Sequence, residues 1–133
     1  MAPLSILVVD DDAPFRGAVT RVLRAAGHLV DEAGGAVQAL RSLRARRPDV
    51  LITDIMMPEG DGIELITAAK TAYGGLLIVA ISGRGSIGSI DLLTLAGKLG
   101  AHAVLNKPFS TDELLLTLDD LLSKPISPAP DLD

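Results

Sequence analysis

The sequence predicts an α/β domain with three layers, in which helices cover both faces of a doubly wound, five-stranded parallel sheet. Five short runs rich in Val, Ile and Leu alternate along the chain with five segments of helical spacing. Runs that are apolar throughout are typical of strands covered on both faces. Strands that alternate with helices favour right-handed crossovers and therefore a parallel sheet.

The predicted strands are short and lack internal polar residues. They cover residues 6–9, 29–30, 50–52, 76–81 and 103–105. The predicted helices cover residues 13–26, 35–46, 62–73 and 89–99, and a fifth begins at the Ser-Thr-Asp-Glu capping box of Ser110. Pro14 lies in the first turn of the first helix, where its missing N–H costs nothing. In the second helix, Val37, Leu40 and Leu43 are predicted to face the sheet.

Composition limits the classes of function. A chain of 133 residues forms one ordinary domain, and 48% hydrophobic with 22% charged residues indicates a globular protein. The absence of cysteine excludes thiol catalysis, thiolate metal sites and disulfides. A net charge of −5 disfavours a broad nucleic-acid surface. Because the longest apolar run (76–81) is too short to span a membrane and the N-terminus lacks a signal-peptide pattern, we expect a cytoplasmic protein that binds neither nucleic acid nor membrane.

Polar side chains follow the ends of four predicted strands. Asp10 and Asp11 follow the first strand, Asp54 the third, Ser82 the fourth and Lys107 the fifth. In parallel α/β sheets, ligands bind at the carboxyl ends of the strands, near the point where the strand order reverses. If these strands are neighbours, their terminal side chains converge on one crevice.

The carboxylates in this crevice indicate a cation. Two carboxylates about 4 Å apart repel by roughly 4 kcal/mol at an effective dielectric constant of about 20. Oxygen ligands without His or Cys favour a hard ion, which we predict to be Mg²⁺. This arrangement suits phosphoryl transfer, in which Asp54 would attack phosphorus and form an acyl phosphate. Lys107 and Mg²⁺ would offset the charge on the transferring oxygens, and Ser82 would donate a hydrogen bond to another oxygen.

Four sequence motifs that contain these residues resemble the receiver domain of two-component response regulators. They are ILVVDDD (6–12), LITDIMMPEGDG (51–62), VAISG (79–83) and NKPF (106–109). The motifs occur in the family's order, and the resemblance spans residues 5–123. It implies a receiver domain over residues 1–123, with a flavodoxin-like strand order 2-1-3-4-5. The remaining residues, 124–133, are rich in proline and are expected to form a flexible C-terminal tail.

The resemblance also assigns roles to the strand-end residues. It implies Asp54 as the phosphoacceptor, Ser82 as the switch hydroxyl and Lys107 as the phosphate-sensing cation. The implied Mg²⁺ ligands are Asp11 directly, Asp10 through water, Asp54, and the backbone carbonyl of Met56. The bond between Lys107 and Pro108 would be cis, a form accessible because proline follows.

The implied function is a phosphorylation-dependent signalling switch. The phosphoryl group would come from a sensor histidine kinase or a histidine phosphotransfer protein, which the family receives beside the first helix, with Phe15 as an apolar contact. The chain would catalyse only its own phosphorylation and slow dephosphorylation. Its output would pass through contacts with a downstream protein, with the chain as a monomer or a phosphorylation-dependent dimer.

Alternative interpretations remain open at this stage. Val104 stands where the family usually has Tyr or Phe three positions before the lysine, so a phosphorylation-independent adaptor is the second hypothesis. Asp10 and Asp12 also resemble the opening of haloacid-dehalogenase-like phosphatases, although Pro14 departs from their pattern. The G-x-G-x-x-G match at 83–88 follows the fourth predicted strand, whereas a dinucleotide site follows an early one, so we interpret it as a loop.

Several other polar residues are predicted to be structural. Asp12 is expected to cap the first helix, and Asp61 with Gly62 to form a turn before the third. Arg16 is assigned to a solvated helix face. His28 and His102 are both assigned to surface turns.

Overall fold

The computed structural model describes residues 3–57, 61–83 and 97–123. In chain order the elements are β1 (Ser5–Val9), α1 (Ala13–Ala25), β2 (Leu29–Ala33), α2 (Ala36–Ala45), β3 (Val50–Asp54), α3 (Asp61–Ala72), β4 (Leu77–Ser82), β5 (Ala103–Asn106) and α4 (Thr111–Ser123). All five predicted strands are present. Of the helix predicted at 89–99, residues 97–99 are described and are helical. The predicted tail, 124–133, and most of the 83–88 loop lie outside the described residues.

The five strands form one parallel sheet in the order β2-β1-β3-β4-β5. This confirms the predicted flavodoxin-like order. Side chains that alternate along each strand enter two separate cores: Leu7 packs on the face that carries α2 and α3, and Ile6 packs on the face that carries α1 and α4. Because both faces are covered, the inner strands β1, β3 and β4 are apolar along most of their length. No helix in the described part of the chain combines the length and apolar character needed to cross a membrane.

The predicted helix caps are confirmed. Asp12 precedes α1, and its side chain accepts a hydrogen bond from Phe15 N at 3.2 Å. At α4, Ser110 Oγ accepts from Glu113 N and Glu113 Oε1 accepts from Ser110 N, both at 3.0 Å. Each cap satisfies backbone N–H groups that have no partner within the helix, which contributes about 1 kcal/mol.

The predicted inward face of α2 was wrong at one position. Val37 is 70% exposed, whereas Ala39 and Leu43 are buried. The buried stripe follows the positions of Ala36, Ala39, Leu40 and Leu43. These positions recur three and four residues apart, and Val37 lies about 100° around the helix from Ala36. Two small alanines, which contribute little to a hydrophobic pattern, therefore mark the face that contacts the sheet.

The prediction that His28 lies in a surface turn was also wrong, since only 5% of the residue is exposed. His28 Nδ1 accepts a hydrogen bond from Leu4 N at 3.1 Å. His102 is exposed, as predicted, but its Nδ1 accepts from Ile78 N at 3.0 Å. Each histidine directly precedes an edge strand, His28 before β2 and His102 before β5. His28 accepts from the residue before the inner strand β1, and His102 accepts from a residue within the inner strand β4. A buried N–H left without a partner would cost about 1–3 kcal/mol.

Gly62 is part of α3, which begins at Asp61, so the predicted turn before this helix was wrong. A Cβ atom on Gly62 would overlap the backbone carbonyl oxygens of Asp54 and Ile55. The first turn of α3 therefore lies directly against the end of β3. Only glycine permits this approach, because the obstructing atoms are backbone atoms that cannot rotate away.

We expect Gly62→Ala to destabilise the domain by about 1–3 kcal/mol, because the added methyl group must displace α3 or the end of β3. The matched control is Gly17→Ala in α1, where the nearest non-local atom is a terminal nitrogen of Arg21 at 3.8 Å. That variant should gain about 0.5–1 kcal/mol through helix propensity. Denaturant unfolding measures both. Equal stability of the two variants would contradict the close packing at Gly62.

The stability of the domain should depend on the protonation of His102. Burial and then the positive charge of Lys70 lower the pKa of His102, and protonation of Nδ1 would break the hydrogen bond from Ile78 N. The folded state therefore binds this proton less readily than the unfolded state. The resulting stability is complete above the unfolded pKa of about 6.5 and is lost as the pH falls through the folded pKa.

Unfolding free energies measured from about pH 7.5 to about pH 5.5 test this expectation. The wild type should lose more stability across that interval than His102→Asn, which has no titrating group at this position. The two proteins share all other ionisable residues, so their difference isolates His102. If the wild type and His102→Asn lost stability equally across this interval, the pKa of His102 would be the same in the folded and unfolded states, and the expectation would be contradicted.

Candidate functional site

Three carboxylates converge at the carboxyl edge of the sheet. β1 pairs with β3 so that Val9 lies opposite Thr53, which brings the following residues, Asp10 and Asp54, side by side. One oxygen from each of Asp10, Asp11 and Asp54 lies within 4.8 Å of the others. Asp10 and Asp54 are buried, with 0% and 4% exposed, and Asp11 is exposed. The cluster therefore has a buried floor and one side open to water.

Lys107 lies across this cluster from β5. Its Nζ is 3.1 Å from Asp10 Oδ2 and 3.3 Å from Asp54 Oδ2. Its backbone N donates to Ser82 O at 2.9 Å, which extends the pairing of β4 and β5 beyond the strand. The peptide bond between Lys107 and Pro108 is cis, as the family resemblance implied. The ammonium thus contacts carboxylates from β1 and β3.

One side-chain oxygen of Asp10 retains a free lone pair. Asp10 Oδ1 accepts a hydrogen bond from Asp12 N at 2.9 Å. Oδ2 is buried and receives no hydrogen bond of good angle from the described residues, although Lys107 Nζ lies 3.1 Å away. Because a carboxylate oxygen has two lone-pair sites, the ion pair with Lys107 leaves coordination capacity at Oδ2.

The environment of Asp54 opposes its charge. Burial raises the pKa of Asp54 and the nearby charge of Asp10 raises it further, against the opposing effects of the hydrogen bond from Met56 N at 3.0 Å and of Lys107. Burial also disfavours the charged form of Lys107. The close contact with Asp10 and the charges of both carboxylates outweigh burial and raise the pKa of Lys107. The site therefore favours the ammonium form of Lys107 and disfavours the charged form of Asp54, which a further cation would stabilise.

These residues fit a hard divalent cation. Three carboxylates facing one ammonium leave an excess of two negative charges. The donors are all oxygens, as Mg²⁺ prefers, and the exposed side at Asp11 gives access to the water molecules that this ion retains. Met56, whose carbonyl was predicted as a ligand, lies two residues beyond Asp54 and is 42% exposed.

Ser82 ends β4 at the same edge of the sheet and is buried. It pairs in register with Asn106, the residue before Lys107. Its hydroxyl donates to the carbonyl of Gly83 at 3.2 Å in this structure. The backbone of Ser82 therefore contacts Lys107, whereas its hydroxyl contacts the next residue, Gly83.

Arg16 supports the site, so its assignment to a solvated face was wrong. Its guanidinium donates to the backbone carbonyl of Asp10 at 2.7 Å and to Glu32 Oε1 at 2.8 Å. The hydrogen bond from Arg16 lowers the pKa of Glu32. These contacts link α1 to the ends of β1 and β2. Sequence spacing missed them because the partner on β2 becomes a neighbour only when the sheet forms.

Removing one negative charge from the cluster should stabilise the protein without metal. Since the charged form of Asp54 is disfavoured in the folded state, Asp54→Asn should raise the midpoint of thermal unfolding in chelator by about 3–5 °C, which corresponds to roughly 1 kcal/mol for a domain of this size. Mg²⁺ should stabilise the wild type far more than this variant.

The matched control is Asp31→Asn, which removes an exposed carboxylate on β2, away from the cluster. It should leave both the midpoint and the response to Mg²⁺ unchanged. Thermal unfolding followed by calorimetry or circular dichroism provides the measurement. A lower midpoint for Asp54→Asn in chelator would show that the ion pair with Lys107 outweighs the repulsion and the burial cost.

Comparison with known proteins places this geometry in a family. A sequence profile of the response regulator receiver domain matches residues 6–119. The response regulator MprA of Mycobacterium ulcerans is 37% identical over 120 residues, which cover 90% of this chain and 50% of MprA. MprA of Mycobacterium avium is 36% identical over 122 residues, covering 91% and 52%. The chain therefore spans about half the length of these curated relatives.

Solved structures give the same result. The receiver domain of NtrX from Brucella abortus has a TM-score of 0.82 at 33% identity, with 90% of this chain and 99% of that chain covered. The chemotaxis protein CheY4 from Vibrio cholerae has a TM-score of 0.80 at 31% identity, covering 90% and 98%. The chain belongs to the response regulator receiver domain family of two-component systems.

Proposed function

We propose that this receiver domain is an Mg²⁺-dependent switch that accepts a phosphoryl group on Asp54. The observation that carries the proposal is the position of the Asp54 carboxylate, which contacts Lys107 and lies among the carboxylates of Asp10 and Asp11. The phosphoryl donor is a sensor histidine kinase or a histidine phosphotransfer protein. Membership of the family supports phosphorylation-dependent signalling in general.

In the proposed reaction, an oxygen of Asp54 forms a bond to phosphorus while the bond between phosphorus and the donor's imidazole nitrogen breaks. The electron pair of that bond remains on the nitrogen, and the product is an aspartyl phosphate. Lys107 supplies a positive charge where the oxygens of the transferring group gather, and Ser82 supplies a hydroxyl after rotation away from Gly83. A bound Mg²⁺ would neutralise negative charge on the same oxygens.

The proposed ligands for Mg²⁺ are Asp10, Asp11, Asp54 and the backbone carbonyl of Met56. Asp11 is the exposed carboxylate and can bind the ion directly. Asp10 is fully buried and already binds Lys107, so we assign it a contact through water. Met56 N donates to Asp54 Oδ1, which fixes the loop that carries the carbonyl beside this carboxylate.

Phosphorylation changes the partners of Lys107, and this is the proposed origin of the switch. Lys107 contacts two carboxylates in the structure, and in the proposed reaction one of them, Asp54, becomes an acyl phosphate, whose bridging oxygen is bonded to phosphorus. The ammonium then has a dianionic phosphoryl group as its stronger partner. The backbone N of Lys107 donates a hydrogen bond to Ser82 O. A shift of the Lys107 side chain would therefore displace the end of β4 and the loop that leads to α4.

We propose that the output is a protein contact. The domain, proposed as residues 1–123 with a tail at 124–133, would act in the cytoplasm as a monomer or a phosphorylation-dependent dimer. It catalyses only its own phosphorylation and slow dephosphorylation. Neither nucleic acid nor membrane is a proposed partner of this domain, whose net charge is −5.

One observation favours a second candidate, a phosphorylation-independent adaptor. Val104 occupies the usual position of the aromatic switch residue, and it packs at the edge of the core that carries α2 and α3. A small packed side chain cannot rotate between a buried and an exposed state as a large aromatic residue does. The adaptor hypothesis predicts equal partner affinity with and without phosphorylation, because a ligand that binds both states equally shifts no equilibrium.

We expect beryllofluoride with Mg²⁺ to bind the wild type and to shift amide resonances around Asp54, Ser82 and Lys107. Asp54→Asn should abolish this response, because the amide cannot supply the anionic oxygen. Lys107→Ala should retain some phosphate from acetyl phosphate and lose the accompanying shifts near Ser82. Nuclear magnetic resonance titration and mass spectrometry provide the measurements.

Acid-labile phosphate on Asp54→Asn would place the nucleophile elsewhere and contradict the proposal. Turnover of an external phosphomonoester by the wild type would support the phosphatase alternative. Unchanged affinity for a downstream partner in beryllofluoride would support the adaptor. Asp31→Asn again serves as the control, since it removes one exposed carboxylate outside the cluster.

A further inference from the structure

We propose that Phe15 is a positioning residue that holds the Lys107 ammonium in the site through the face of its ring. The inference rests on the proposed function, because the role of Phe15 is exerted through Lys107. Lys107 Nζ lies 4.2 Å from the centroid of the Phe15 ring. This is well within the roughly 6 Å over which an aromatic face attracts a cation.

The ring covers one side of the ammonium. Asp10 and Asp54 bind Nζ at 3.1 and 3.3 Å, and the ring of Phe15 provides a third attractive contact. The Lys107 side chain is 21% exposed. Because the ring is apolar, it excludes water from the ammonium, and exclusion of water strengthens the attraction between Lys107 and its anionic partners.

Two contacts fix the position of the ring. Asp12 accepts a hydrogen bond from the backbone N of Phe15 at 3.2 Å, so Phe15 is held by the same loop that presents Asp10 and Asp11. Phe109, two residues beyond Lys107, lies edge-on to Phe15, with ring centroids 5.5 Å apart and an interplanar angle of 84°. The first turn of α1 and the loop after β5 are therefore joined by an aromatic pair directly beside the ammonium.

A neutral ring is suited to a cation that must change partners. A third carboxylate in place of Phe15 would compete with the incoming phosphoryl group for Lys107 and would repel that group. The quadrupole of the ring attracts the ammonium without adding a negative charge. Lys107 can therefore transfer one contact from Asp54 to a phosphoryl oxygen while its contact with the ring keeps it out of bulk water.

The test compares three variants with the wild type. Phe15→Leu keeps an apolar side chain and removes the aromatic face, whereas Phe15→Tyr keeps the face. Tyr73→Leu is the matched control, because it removes another ring that lies near a cation, Arg47, at 5.9 Å, where Tyr73 follows α3. We expect phosphorylation by acetyl phosphate with Mg²⁺ to be about threefold to tenfold slower in Phe15→Leu and near the wild-type rate in the other two.

A spectroscopic measurement separates positioning from a general loss of structure. The ring current of Phe15 should shift the Lys107 side-chain protons nearest Nζ upfield. That shift should be retained in Phe15→Tyr and Tyr73→Leu and lost in Phe15→Leu. Denaturant unfolding checks that each variant is folded under the assay conditions, and the proton shift reports on the ring without any phosphoryl donor.

Equal phosphorylation rates for Phe15→Leu and the wild type would overturn the inference and leave the proposed function intact. Equal slowing of Phe15→Leu and Phe15→Tyr would also overturn it, since the aromatic face would then be irrelevant. A wild type that accepts no phosphoryl group would overturn the proposed function itself, and with it any role of Phe15 in the reaction.

Discussion

The ion pairs of Lys107 with Asp10 and Asp54 are the interaction on which the site depends. Two buried carboxylates at adjacent strand ends repel each other and lose hydration, and a single ammonium from a third strand compensates for part of that cost. The compensation requires β1, β3 and β5 to end at the same edge of the sheet, which the order β2-β1-β3-β4-β5 provides. The fold therefore serves the site by fixing where the strands end.

The strand ends could be predicted because a doubly wound sheet has few degrees of freedom once its strands are known. Continuous apolar runs identify the strands, and the polar residues within two positions after each run identify the edge of the sheet. This reasoning suffices for Asp10, Asp54 and Lys107, which the structure brings together. Their proposed roles in metal binding and phosphoryl transfer do not follow from position alone, since those roles would depend on an ion and a donor that bind to the finished site.

Three of the features that sequence reasoning missed share one physical cause: each depends on a contact between residues that are not neighbours in the sequence. His28 is buried because Leu4 donates to its ring, and Arg16 is withdrawn from water by Glu32 and the Asp10 carbonyl. Gly62 must be glycine because the backbone of Asp54 lies against it. A local pattern assigns such residues to surfaces and turns, since their partners are not neighbours in the sequence.

The electrostatics of the site fit the proposed response to a single chemical event. In the described structure Asp54 is held in conditions that disfavour its charge, and Lys107 is held by partners that favour its own. In the proposed switch, a bound cation would supply the positive charge that the cluster lacks, and phosphorylation would replace the disfavoured carboxylate of Asp54 with an acyl phosphate. A fully neutralised, hydrogen-bonded site would gain nothing from that event. Residual electrostatic frustration at Asp54 is therefore a condition of the proposed switch, and the two apolar cores on either face of the sheet provide the stability that allows the fold to retain it.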